Sequence, residues 1–421
     1  MNREGKPTRK TTTTVWTDHI PLAIAICLLA CRLIVIAALL LAMWSLIARS
    51  ASAEVWVSAD ELLDLPTAGP AWESLLGTAG RYSTDTPDLS DQDDKTDSRI
   101  LAKALVAART GDDRMADEVR SGIMAAIGTE DGGRTLALGR NLVAIVAAAD
   151  LVGLPDDDDA QFRSWLSHIT QENLDGRTLR STHEDRPNNW GTHAGASRAA
   201  VAAYLGDQRE LDRTAQVFKG WVGDVDSYSE FHFGGPYGEE DHSWEHDWSA
   251  PVAVNPVGAI IDGWDVGGSL PEEMRRGGPF QWPPEETLYA YEAMQGALVQ
   301  AEILWRQGYE SYLWEDQAIL RAFEFLDGID WQPEGDDVWM MALVNARYGL
   351  DAAGLAYPAN PTAQHGKNMG WVAWSHQDVE AVVPVVVPEP STTKLLLSVG
   401  VAIIVGMALG ALTNSRGKNG D

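Results

Sequence analysis

Two amides, an indole and an imidazole stand together at the start of an apolar helix predicted over 192–205. They are Asn188, Asn189, Trp190 and His193, in the stretch RPNNWGTHAGASRAAVAAYLGD. Asparagine is a preferred helix cap, because its side chain accepts a hydrogen bond from a backbone N–H of the first turn. One asparagine is enough for a cap, so the pair leaves an amide that could bind a substrate. The imidazole, about one turn further along the helix, could reach the same cleft.

Helical periodicity dominates the chain that must position these groups. Apolar residues recur at helical spacing, and short Gly/Asp turns separate the segments. The other predicted helices lie within 98–111, 112–128, 136–153, 158–173, 209–224, 283–308, 311–328 and 335–349. This pattern predicts an all-α fold of helical hairpins, arranged as a bundle, a solenoid or an α/α toroid.

One long stretch, 229–284, does not fit a helical array. Loops of this length in compact domains are usually functional or disordered, and its many aromatic residues argue against disorder. Within it, His242 and His246 are spaced as zinc ligands would be on a helix. The surrounding sequence HSWEH lacks the order of a zinc-protease motif and reads as a loop. We therefore expect no metal and no other cofactor.

Both ends of the chain read as targeting segments. Residues 1–53 combine a basic start, an apolar stretch and a small-residue cleavage pattern at Ala51-Ser52-Ala53, which predicts a signal peptide; a retained anchor is the alternative. Residues 381–421 hold a Val-rich linker, the sequence VPEPST, an apolar run over 395–412 and a basic end. This tail resembles the PEP-CTERM sorting signal. The resemblance implies a transmembrane helix before processing, recognition by an exosortase, and delivery to the envelope, surface or matrix of a Gram-negative-type bacterium.

The composition of the intervening domain, 54–380, excludes some partners. The chain has 32 basic and 61 acidic residues, a net charge of −29, and many of its basic residues lie at the two ends. Such a surface repels nucleic acid. Acidic runs at 83–98 and 156–159 are expected to be solvated loops. Both cysteines, Cys27 and Cys31, lie in the signal segment, so the domain has no disulfide. Most of the 17 tryptophans lie in the domain, which raises the hypothesis of carbohydrate binding.

Several stretches, taken in order, resemble alginate lyases of the α/α-toroid type. They are RILAKALVAARTGDDRMADEV, RNLVAIVAAADLVGL, NNWGTHAGASRAAVAAYLGD and DGWDVGGSLPEEMRRGG, followed by TLYAYEAMQGALVQAEILWRQGY. The resemblance implies a toroid with a central groove and metal-free β-elimination on a uronic-acid polysaccharide. That reaction removes the C5 proton beside a carboxylate. Amide and guanidinium donors must neutralise this carboxylate, and a base and an acid must move protons.

The resemblance also implies residue roles. The paired asparagines match Asn188 and Asn189, with Asn189 on the substrate carboxylate. The family's arginine matches Arg276, or Arg275 in the alternative register, and its tyrosine matches Tyr289. The family usually has histidine directly after the pair, where this chain has Trp190, so His193 is the substitute candidate. The predicted catalytic residues are therefore Asn189, His193, Arg276 and Tyr289, and the predicted substrate-binding residues are Asn188, Trp190, Arg140, Arg275, Trp282 and Lys367.

Three functions remain open at this point. The first is an exported polysaccharide lyase acting on an acidic polysaccharide. The second is a non-catalytic protein of the same fold that binds exopolysaccharide, which the change of histidine to Trp190 favours. The third is an α/α-toroid glycoside hydrolase that uses two carboxylates, such as Glu239 and Asp247, across the groove.

Overall fold

The computed structural model describes residues 54–81, 86–234, 241–350 and 369–382, and these are mostly helical. The predicted signal segment, the sorting signal with its transmembrane helix, Lys367 and Glu239 lie outside the described residues. The all-α prediction is confirmed for the part of the chain that the structure describes.

The helices follow one another closely, and a small hairpin interrupts them. They are α1 (Ala59–Leu63), α2 (Pro70–Arg81), α3 (Thr96–Thr110), α4 (Asp113–Ala126), α5 (Thr135–Val152), α6 (Asp156–Ile169), α7 (Leu179–Asp185), α8 (Asn189–Leu205), α9 (Gln208–Val222), α10 (Pro271–Met274), α11 (Tyr289–Arg306), α12 (Trp314–Gly328), α13 (Met340–Tyr348) and α14 (Val372–Ser375). A 3₁₀ turn, Arg275–Gly277, extends α10. Strands β1 (Ile260–Ile261) and β2 (Trp264–Asp265) pair antiparallel.

Four long helices form the interior. Helices α3, α5, α8 and α11 are buried over most of their length, which explains why α5 and α8 are apolar on nearly all sides. Helices α4 and α9 instead bury one face and expose charged residues on the other. Helix α5 is long and apolar enough to cross a membrane, but 83% of it is buried within the protein, as in the core helix of a soluble domain.

The interior helices approach closely because glycines stand where they touch. A Cβ on Gly139 of α5 would lie 2.9 Å from the backbone nitrogen of Ala194, and one on Gly296 of α11 would lie 2.5 Å from that of His193. Real side chains do not tolerate such contacts, so both positions require glycine. Helix α8 is thus held between α5 and α11 at His193.

The same contacts fix the direction of these three helices. Arg134, just before α5, lies beside Trp190, while Gly139 lies beside Ala194, so α5 and α8 run parallel. Gly296 and Gln300 of α11 lie beside successive parts of α8 in the same order. The amino-terminal ends of α5, α8 and α11 therefore lie on one side of the domain.

The helix contacts lead around the domain and back to its start. Successive contacts join α2 to α3, α3 to α5, α5 to α8 and α8 to α11, while α14 contacts both α13 and α2. Helices α11 and α13 are joined by Glu302, a buried carboxylate that accepts hydrogen bonds from Arg347 at 2.6 and 2.8 Å. Burial alone would raise the pKa of Glu302, but Arg347 and Arg306 hold it at about 2.

The end of the described chain packs against its beginning. Trp374 donates a hydrogen bond from Nε1 to the carbonyl of Pro66 at 2.8 Å, and His376 Nε2 lies 3.2 Å from the carbonyl of Trp56. Trp371 reaches the carbonyl of Ser98 at 3.4 Å. These contacts join α14 to the segment around α1 and to α3.

Some local predictions were wrong. Helix α8 begins at Asn189, three residues before the predicted start. Residues Asp156–Asp159 form the first turn of α6 and not a loop, because carboxylates are favourable at the positive end of a helix dipole. Helix α11 begins at Tyr289, well after the two prolines of its predicted segment. Within α12, Glu315–Gln317 have non-helical backbone angles, so the predicted helix is interrupted there.

Candidate active site

The two asparagines at the start of α8 have different environments. Asn188 is the N-cap, and its Oδ1 accepts a hydrogen bond from the Trp190 backbone at 3.2 Å. The side chain of Asn189 takes no part in the cap, although the residue is only 2% exposed. Its Oδ1 is buried and accepts no hydrogen bond from the described residues. A buried acceptor without a partner is unfavourable, so this oxygen favours a hydrogen-bond donor from a ligand.

A buried carboxyl group joins Asn189 to the arginine predicted from the sequence. Oε1 of Glu273, on α10, accepts a hydrogen bond from the Asn189 backbone N–H at 2.5 Å. The other oxygen, Oε2, lies 4.0 Å from Nε of Arg276. Glu273 is 1% exposed. Burial raises its pKa to about 8, although the Arg276 guanidinium opposes this shift. The group is therefore mainly a neutral acid at pH 7.

Arg276 in turn covers the tyrosine that opens α11. The guanidinium carbon of Arg276 lies 4.3 Å from the ring centroid of Tyr289, a cation–π contact. Tyr289 is 42% exposed and the Arg276 side chain 30%, so both are accessible to a ligand. The Tyr289 hydroxyl makes no hydrogen bond to any described residue. Arg275, the alternative arginine, is instead paired with Glu272 at 2.7 Å.

A second ionic cluster, formed by Arg140, His193 and Glu292, lies one helical turn after the start of α11. Glu292, one turn after Tyr289, accepts a hydrogen bond from Arg140 at 2.5 Å, and its Oε2 lies 3.7 Å from Nε2 of His193. His193 is fully buried, so it does not lie open to a groove as predicted. Arg140 was predicted to bind substrate, but it is buried and its partner is Glu292 on α11. Both residues support the helix that carries Tyr289.

The two predicted indoles have partners of their own. Trp190 lies beside two guanidinium groups, with Arg186 at 4.4 Å and Arg134 at 5.5 Å from its ring centroid. Trp282 stacks on Trp264 of β2 at 4.7 Å, with the ring planes only 13° apart. Trp282 borders a cavity of about 370 Å³.

The structure thus brings three of the predicted catalytic residues into one connected set. Asn189 contacts Glu273, Glu273 lies beside Arg276, and Arg276 covers Tyr289. The fourth, His193, belongs to the ionic cluster around Glu292. Glu273 and Glu292 were not among the residues predicted from the sequence. In the sequence they are two carboxylates near the predicted arginine and tyrosine. Carboxylates in such a pattern usually lie on a solvated face, so the pattern does not distinguish a functional role.

The histidine pair of HSWEH has no metal-binding arrangement in the described residues. His246 Nδ1 lies 3.1 Å from Oδ1 of Asn255. No group of three His, Cys, Asp or Glu side chains suited to a metal occurs in the part of the chain that the structure describes. Asp247 is bound to Ser249, and Glu239, its suggested partner in a hydrolase, lies outside the described residues.

Comparison with known proteins agrees with part of this picture. Residues 114–226 match the model of the alginate lyase family. This range runs from α4 through α9 and includes Asn188, Asn189 and His193, whereas Arg276 and Tyr289 lie beyond it. No curated protein matches the chain. The match supports a polysaccharide lyase at the level of the family.

Proposed function

We propose that this protein is an exported polysaccharide lyase that cleaves a uronic-acid polysaccharide, such as alginate, by β-elimination. The family match over 114–226 supports the reaction class. The observation that carries the proposal is the connected set of Asn189, Glu273, Arg276 and Tyr289, which links residues that bear an amide, a guanidinium and a phenol.

Each group fits one requirement of the reaction. The C5 proton becomes removable only when the adjacent carboxylate is neutralised by hydrogen-bond donors. The Asn189 amide and the Arg276 guanidinium supply those donors. Glu273 positions both, because it binds the backbone of one and lies beside the side chain of the other. As a neutral acid it leaves the charge of Arg276 available to the substrate.

Tyr289 is the proposed proton carrier. In its deprotonated form Tyr289 takes the C5 proton, the C4–C5 double bond forms as the C4–O bond breaks, and Tyr289 then donates the same proton to the leaving glycosidic oxygen. Arg276 fixes the ring from above. The ionic cluster of Arg140, His193 and Glu292 positions Tyr289, because it holds the first turn of α11 against α5 and α8.

The same proposal includes an α/α toroid. The closed sequence of helix contacts from α2 to α14 supports it. The amino-terminal ends of α5, α8 and α11 then share one rim, and their partial positive charges favour an anionic substrate. This local field offsets the net charge of −29, which screening in a salty exterior also weakens.

We place the protein in the cell envelope or matrix. This proposal is supported by the two targeting segments predicted from the sequence. The proposed partner of the carboxyl-terminal segment is an exosortase, and this segment is proposed to lie in the membrane before processing.

The test of the function is product formation by the purified full chain. It is incubated with a panel of uronate polymers, and elimination is followed by the ultraviolet absorbance of the new double bond. Tyr289→Phe keeps the ring beneath Arg276 and removes only the hydroxyl, so we expect turnover to fall by roughly 100-fold or more. Binding of a uronate without any product would refute the lyase and favour a binding protein.

Tyr291→Phe is the matched control on the same helix. The Tyr291 hydroxyl donates a buried hydrogen bond to the carbonyl of Trp331 at 2.9 Å. Its loss should lower the free energy of unfolding by about 1 kcal/mol and leave turnover near that of the wild type. Equal turnover in Tyr289→Phe and Tyr291→Phe would remove Tyr289 from the mechanism.

A further inference from the structure

Three turns of the chain meet at a cavity of about 590 Å³ next to the start of α5. The first turn contributes Ser90, the second contributes Asp131–Arg134 and the third contributes Glu172–Asp175. The first two turns are in close contact, since a Cβ on Gly133 would lie 2.7 Å from Cα of Ser90. A ligand in this cavity would therefore join parts of the chain that precede α3, follow α4 and follow α6.

The lining of this cavity is acidic. Its carboxylates belong to Asp131, Glu172 and Asp175, and its basic side chain is Arg134. Nη2 of Arg134 donates a hydrogen bond to Oε1 of Gln92 at 3.3 Å. Carboxylates at a surface are usually only solvated, so the acidic lining by itself indicates no ligand.

A buried carboxylate next to this lining has an oxygen that needs a partner. Glu130 is only 3% exposed, and its Oε1 accepts a hydrogen bond from Nε1 of Trp165 at 2.8 Å. Its other oxygen, Oε2, is buried and has no hydrogen-bond partner among the residues that the structure describes. Burial of a carboxylate oxygen without a partner is unfavourable, so Oε2 favours a cation or a hydrogen-bond donor.

The carboxyl group of Glu130 contacts that of Glu172 in the lining. Burial raises the pKa of Glu172, and the neighbouring carboxylates of Glu130 and Asp131 raise it further. Two ionised carboxylates cannot donate hydrogen bonds to each other, so the pair is stable only with a shared proton or a bound cation. The additional negative charge of Asp131 favours a divalent cation over a single proton.

We propose that Glu130 and Glu172 bind a calcium ion, which joins the turn after α4 to the turn after α6. The candidate ligands are oxygen atoms, which suit a hard cation such as Ca²⁺ and not zinc. Two carboxyl groups are fewer than the three side chains of a preformed metal cluster, so water must supply further ligands. We therefore expect a weak site, with a Kd of roughly 0.1–1 mM, as in extracellular calcium-binding modules.

The experiment is thermal unfolding of the purified full chain, with EDTA and with added CaCl₂ at constant ionic strength. At about 10 mM CaCl₂ the melting temperature of the wild type should rise by roughly 2–6 °C, because an ion that binds only the folded state stabilises it. Glu130→Gln keeps the acceptor that Trp165 requires and removes one charge of the pair, and Glu172→Gln removes the other. Either variant should lose at least half of the calcium-induced rise.

The measurement in EDTA distinguishes a cation site from a merely structural pair. Without calcium, Glu130→Gln and Glu172→Gln should melt at or above the temperature of the wild type, because each relieves the repulsion between two carboxylates. The matched control is Glu324→Gln on α12. It removes the same charge from a glutamate whose charged neighbour is Arg321, and it should keep the calcium-induced rise of the wild type.

A rise in melting temperature that is lost in Glu130→Gln and Glu172→Gln but kept in Glu324→Gln supports the calcium site. No rise in the wild type overturns it, because the carboxyl pair then shares a proton. An equal rise in all four proteins also overturns it, because calcium then acts only through the net charge of −29. None of these outcomes depends on elimination activity, so the calcium site and the lyase can fail separately.

Discussion

Replacing Glu273 by glutamine should remove a distinct part of the pH dependence of stability. The carboxyl has an ordinary pKa of 4.5, and burial raises it to about 8 in the folded protein. Between these values the unfolded chain has lost the proton and the folded chain keeps it. The contribution of this carboxyl to the free energy of unfolding is therefore fully present below pH 4.5. It falls as the pH rises toward 8, by on the order of 1 kcal/mol per pH unit.

Glutamine keeps the acceptor that Asn189 requires and does not titrate. We expect wild type and Glu273→Gln to be similar near pH 5 and the variant to be more stable near pH 8, by a few kcal/mol at most. Glu245, another buried carboxyl whose pKa burial raises to about 8, is present in both proteins, so its contribution cancels in the difference.

The measurement is urea unfolding followed by tryptophan fluorescence at several pH values across this window. The two proteins are compared at each pH, and the difference in free energy of unfolding is plotted. A difference that stays constant with pH would show that Glu273 titrates normally, and the account of a neutral acid beside Arg276 would be wrong.

Two further predictions concern α8 and the helices around it. Asn189→Ala should reduce turnover by roughly 100- to 1,000-fold, as for a lost oxyanion donor, with little change in the melting temperature. Asn188→Ala should instead lower the free energy of unfolding by about 1 kcal/mol through loss of the cap. If Asn188→Ala lowers turnover and Asn189→Ala lowers stability, the roles given to the two asparagines are wrong. Gly296→Ala forces a Cβ to 2.5 Å from the backbone of His193. It should destabilise the domain by about 1–3 kcal/mol in urea unfolding, and a neutral effect would contradict the close helix packing described above.

The sequence predicted the fold class because the interior helices carry an unbroken apolar pattern. Helix α5 was predicted over 136–153 and spans Thr135–Val152. Hairpin β1–β2 was missed, since strands of two residues are too short to show alternation. The start of α8 was misplaced because either asparagine could serve as the cap, and only the structure shows that Asn188 does.

The candidate site was predicted in part. The resemblance to alginate lyases implied Asn189, Arg276 and Tyr289, and the structure connects them. The connection itself runs through Glu273, whose burial depends on packing of α10 against the start of α8 and has no sequence signal. The contact of Arg134 with Trp190 joins residues far apart in the chain, so no local pattern could reveal it.

The contacts of α14 with the start of the domain have a consequence for how the chain matures. Trp374 and Pro66 are separated by 308 positions, and His376 and Trp56 by 320. Such long loops close slowly, because their entropy must be lost before the contact forms. The ribosome delivers the chain from its first residue onward. The segment around α1 therefore waits, with Trp56 uncovered, until almost the entire domain has emerged.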